Sequence, residues 1–112
     1  MALDTVSENG IRWAIDQFPR LRPGTRQAQV LLCLGLQMND TGEAAVSTYM
    51  MTVLTMEPTR VVERTLGGLI TLRVIERKEP RGHLAVYQAQ GWDYGPPPIL
   101  PLPIRAVGGT EG

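Results

Sequence analysis

The stretch that most restricts the fold is EPTRVVERTLGGLITL, residues 57–72. Val62, Leu66 and Leu69 recur at spacings of four and three, so on a helix they fall on one stripe, with Val61, Thr65 and Leu72 at its flanks. Thr59, Arg60, Glu63, Arg64 and Thr71 fall on the opposite side. A helix over 57–72 therefore needs a core behind it and carries two arginines one turn apart in front. Pro58 suits the first helical turn, where its missing N–H costs nothing, and Glu57 sets a negative charge by the positive end of the helix dipole. Gly67-Gly68 is awkward in such a helix: it either kinks or loosens the chain there, or lets another backbone come close.

The flanks restrict the arrangement further. STYMMTVLTM, residues 47–56, reads as a short helix capped by Ser47, with Met50, Met51 and Leu54 available for a core and a tight corner at Thr55-Met56. Helix, short turn and second helix is the helix-turn-helix plan. After residue 73, Val74 to Lys78 runs as a strand, Pro80-Arg81-Gly82 turns, and Leu84 to Tyr87 returns, which makes a two-stranded hairpin with a basic tip.

The span from Ser47 to Tyr87, above all Val61, Arg64, Leu66, Leu69, Val74, Ile75, Glu76 and Arg77, resembles the winged helix-turn-helix family, of the kind found in MarR-type regulators and in phage or plasmid control and replication proteins. The resemblance covers a third to a half of the chain. It implies a mainly α fold with a small β hairpin, an α+β winged helix over residues 1–94, and double-stranded DNA as partner. A homodimeric transcriptional regulator would set Thr59, Arg60 and Arg64 in successive major grooves. Arg81 at the wing tip would meet a phosphate or the minor groove, with Ser47, Thr48, Glu63 and Lys78 completing the DNA-binding set. The alternative is a protein-interaction module on the same scaffold, as in a phage- or plasmid-type inhibitor or an assembly or replication factor.

The first third of the chain supplies packing partners. A helix clearest from Ser7 to Phe18 puts Ile11, Ile15 and Phe18 on one stripe, with Ala14 beside them, and Gly10 weakens it by about 1 kcal/mol relative to Ala. Trp13 falls off that stripe, so it either packs at the edge of the core or is presented to a partner. Pro19 stops the helix. Thr25 then caps TRQAQVLLCLGLQMND, a helix apolar around most of its circumference and so suited to the middle of a core. Gly35 within it either invites close approach by another helix or is simply tolerated there. Asn39 to Gly42 is a polar turn, and the Ala-rich Glu43-Ala44-Ala45-Val46 suits either a short strand that joins the hairpin in a three-stranded sheet or a helix.

Charge speaks partly against nucleic acid, because eleven Lys plus Arg meet eleven Asp plus Glu in the 112 residues. The distribution is uneven. Between Glu57 and His83 six basic residues face four acidic ones, and Arg20, Arg22 and Arg26 form a second basic cluster. A neutral monomer with a mildly basic face binds phosphates weakly and gains from a second copy.

Trp13 and the apolar residues Ile99, Leu100 and Leu102 of the tail are the expected dimer contacts. Five prolines between Pro96 and Pro103 give that tail, residues 95–112, extended polyproline geometry or leave it without order, and also make it a ligand for a protein partner. The lone Cys33 lies in an apolar run and reads as a buried structural thiol. His83 is the only histidine and Cys33 the only cysteine, so neither a catalytic triad nor a histidine- or cysteine-based metal cluster can be assembled, and no enzyme activity or cofactor is expected. With no apolar run near the ~20 residues of a membrane span and no leader pattern, a cytoplasmic protein without membrane contact is expected.

Overall fold

Two glycines decide how the first two helices meet. The computed structural model describes residues 7–94, in which α1 (Glu8–Gln17) crosses α2 (Gln27–Leu36) at Gly10 and Gly35. A Cβ on Gly10 would lie 1.8 Å from the Gly35 carbonyl oxygen, and one on Gly35 would lie 2.5 Å from that of Gly10. Backbone is therefore packed on backbone. The close approach open to Gly35 is present, and Gly10, which weakens α1 as a helix former, is its counterpart. Ser7 caps α1 by accepting from the Gly10 N–H at 2.9 Å, and its own N–H reaches Leu36 O.

This crossing corrects the face of α1. Its buried residues are Gly10, Trp13 and Ala14, whereas Ile15 is half exposed and Ile11 and Phe18 are only partly covered. Close contact at Gly10 rotates the helix so that the face carrying small residues and Trp13 meets α2. Trp13 is 1% exposed and donates from Nε1 to the Gln90 carbonyl at 2.9 Å, so it anchors the core and is not presented as a dimer contact. The other expected dimer contacts, Ile99, Leu100 and Leu102, lie outside the described residues.

The remaining order is β1 (Glu43–Val46), α3 (Thr48–Thr55), α4 (Thr59–Thr71), β2 (Ile75–Arg81) and β3 (Leu84–Ala89). The described residues thus form a small α+β domain of four α-helices and one three-stranded antiparallel sheet, ordered β1-β3-β2. The EAAV strand does join the hairpin, with Ala44 opposite Tyr87 and Val46 opposite Ala85. Val30, Leu31 and Leu34 of α2, Met51, and Val62, Leu66 and Leu69 of α4 pack with Ile75 and Tyr87 into one core. No described helix is long and apolar enough to cross a membrane.

Several boundaries move. Pro58 is the N-cap of α4, with ψ 158, so the helix starts one residue after it and Glu57 lies in the preceding turn. α4 runs through Gly67 and Gly68 without interruption; Gly67 is open to solvent and Gly68 faces Gln27 of α2. Its end is a Schellman closure, with Val74 N–H to Leu69 O and Arg73 N–H to Ile70 O, and Arg73 holds the left-handed position at φ 62. The N-cap of α2 is Arg26 without a side-chain bond, although the Thr25 hydroxyl accepts from the Gln27 N–H at 3.3 Å. The hairpin turn falls at Gly82-His83, because the register slips between Lys78 and Arg81 and draws Pro80 into the edge strand.

Candidate nucleic-acid interface

The front of α4 follows from what its back must bury. With Val62, Leu66 and Leu69 turned inward, Thr59, Arg60, Glu63, Arg64, Gly67 and Thr71 are exposed. Arg60 and Arg64 are four apart and so share a face, where like charges repel by a few tenths of a kcal/mol. Neither has an acidic partner within ion-pair distance among the described residues. Arg60 also lies in the first turn, which holds no acidic residue, so it adds a cation to the positive end of the helix dipole. With Glu63 also exposed on it, this front carries two arginines against one glutamate.

The other expected contacts divide. Ser47 caps α3, its hydroxyl oxygen accepting from the Met50 N–H at 3.0 Å. Thr48 opens α3 and borders, with Glu63, Gly67, Arg77 and Tyr87, a groove of about 320 Å3 between α4 and the sheet. Lys78 is exposed on β2, opposite Val86. Arg81, by contrast, is ion-paired with Glu43 of β1. On the register that pair crosses β3 on the face away from the core, where Val86 is only 1% exposed. The wing-tip arginine is therefore tied back to the sheet and does not project freely.

The second basic cluster is also partly neutralised. Arg26 pairs with Glu57, and Arg20 donates to the carbonyl of Leu72, completing the end of α4. Glu57 thus holds the α3–α4 corner to α2, with Arg26 offsetting its charge beside the start of α4.

Sequence reasoning passed over two features. Arg77 lies over the Tyr87 ring, 5.5 Å from its centre, which braces β2 against β3 where the two residues pair. Burial raises the pKa of the Tyr87 hydroxyl, with Arg77 pulling it down and Glu63 pushing it further up. The larger omission is α3. Met50 and Leu54, expected in the core, are 42% and 45% exposed, and only Met51 and Thr55 are buried. A helix of eight residues can turn only one narrow stripe inward, and that stripe is Met51-Thr55. The signal was the absence of any charged residue from Ala44 to Met56, which reads as core only if the whole helix is enclosed.

Trp92 to Tyr94 folds back on the domain. Trp92 donates to Asp40 O at 3.0 Å and stacks edgewise with Tyr94, whose hydroxyl donates to Asp16 at 2.8 Å. That bond raises the pKa of the Tyr94 hydroxyl. No family model matches the chain, and neither does any curated protein or solved structure.

Proposed function

We propose that the chain is a sequence-specific double-stranded DNA-binding protein on a winged helix-turn-helix plan, acting as a homodimeric regulator. The order α2-β1-α3-α4-β2-β3, with a β1-β3-β2 sheet and a turn of three residues between α3 and α4, supports that plan. The observation that carries the function is the pair Arg60 and Arg64, exposed, one turn apart on the front of α4 and without carboxylate ion-pair partners among the described residues. A phosphate or a guanine edge satisfies both the charge and the fork of donors. α4 is the reading helix, Thr59 its short polar contact, and Lys78 of the hairpin a phosphate contact.

Fluorescence anisotropy on random and selected duplexes across a salt series tests this. Binding should weaken steeply with salt, and Arg60→Ala or Arg64→Ala should each cost about 1–3 kcal/mol with little change in melting temperature. Equal affinity of wild type and the double variant removes the assignment. A protein-interaction module on the same scaffold is the second reading, favoured by the uncharged outer side of α3; salt-insensitive capture of a protein ligand with no affinity for duplexes would decide for it.

A further inference from the structure

α3 turns Met51 and Thr55 inward, partly covers Thr48 and Thr52, and leaves Tyr49, Met50, Val53 and Leu54 open. Tyr49 is 77% exposed, Met50 42%, Val53 52% and Leu54 45%, and Met56, just past the helix end, is 86% exposed. Positions 49, 50, 53 and 54 adjoin one another at helical spacing, so they form one continuous surface. At roughly 200 Å2 for each large residue, these four leave on the order of 430 Å2 of accessible area, and Met56 just past the helix end brings the total to about 600 Å2. This lies at the upper end of what a typical monomer exposes in one patch.

Met56 supplies an independent observation. It closes α3 in the left-handed conformation, φ 59, a position that favours glycine or asparagine. Methionine keeps the strain that glycine would relieve, and at 86% exposure it lies almost wholly outside the packing of the described residues. A contact outside the domain accounts for both.

We propose that this face is covered by the same face of a second copy. In a two-fold contact each surface meets itself, so a charged face would oppose its own sign. The α3 face carries no charge to repel. Two such faces together come to about 1,200 Å2, the lower edge of the range for specific, stable interfaces, and flexible methionine side chains adapt readily to a symmetric partner. The contact moves self-association away from Trp13 and onto the helix that immediately precedes α4. It supplies the second copy that the DNA reading calls for, yet it stands on α3 alone.

Sedimentation velocity and light scattering of the full-length protein, with and without Tyr49→Glu/Val53→Glu, test it. Wild type should be dimeric at tens of micromolar, and the double variant should dissociate at least about tenfold more readily, with its circular dichroism and melting unchanged in dilute solution. Added salt should leave the apolar dimer intact or strengthen it while weakening any DNA complex, so loss of DNA binding with an intact dimer counts against the DNA reading only. Met56→Gly should raise the melting temperature of the dilute monomer and still dimerise several-fold more weakly, a combination that misfolding cannot produce. A wild-type monomer at tens of micromolar, or a dimer that the double variant leaves unmoved, overturns the proposal.

Discussion

Gly10→Ala tests the geometry on which α1 depends. On helix propensity alone the change stabilises, by about 1 kcal/mol. In the structure the new methyl would stand 1.8 Å from the Gly35 carbonyl oxygen and 2.8 Å from its carbon, both backbone atoms that cannot rotate away. α1 would have to retreat by roughly 1.5 Å to reach ordinary contact distance, which loosens Trp13 and Ala14 from the core. Overpacking of this kind costs typically 1–3 kcal/mol, and more where backbone must move. Taking about 3 kcal/mol or more for the clash, the net loss is about 2 kcal/mol or more. For a domain of this size that lowers the melting temperature by roughly 8–16 °C. Gly67→Ala is the control, since a Cβ there meets nothing within 4 Å and the position is exposed in mid-helix. It should gain about 0.4–1 kcal/mol. Thermal melts of the two variants followed by circular dichroism make the comparison; a Gly10→Ala protein as stable as wild type would refute the crossing.

Three further outcomes are expected. Trp13→Ala should cost about 3–5 kcal/mol, read by urea denaturation, because it empties a core site and strips the Gln90 carbonyl of its donor; a folded monomer of normal stability would return Trp13 to the surface. Arg81→Ala should change stability by less than about 1 kcal/mol. In the DNA assay the salt slope should fall by less than the change of about one expected for Arg64→Ala, since Glu43 already balances Arg81. Cys33, 8% exposed and with its pKa raised by burial, should resist thiol reagents in the folded protein and react promptly in denaturant, and prompt labelling without denaturant would contradict its burial.

Periodicity and punctuation determined a good deal by themselves. Val62, Leu66 and Leu69 placed α4 and its polar front, Ser7 and Ser47 marked two helix starts, and the run around Leu31 placed α2 in the core, because these are local matters of spacing and capping. The hairpin was legible in the same way, from short segments separated by turn residues, whereas Ala-rich Glu43–Val46 suits helix as well and only its pairing with β3 makes it a strand. Tertiary structure alone decided where competing local preferences met a neighbour. Ile11 and Ile15 made the better hydrophobic stripe of α1, yet Gly10 and Gly35 permit a backbone approach that turns Trp13 inward instead. Arg81 looked free at a turn, yet the hairpin register sets it across the sheet from Glu43. In α3 the apolar side chains read as core on hydrophobicity, but only Met51 and Thr55 have a partner across from them. The count of apolar residues sets how much surface seeks cover, whereas the packing of α2 and α4 sets how much of α3 they can reach.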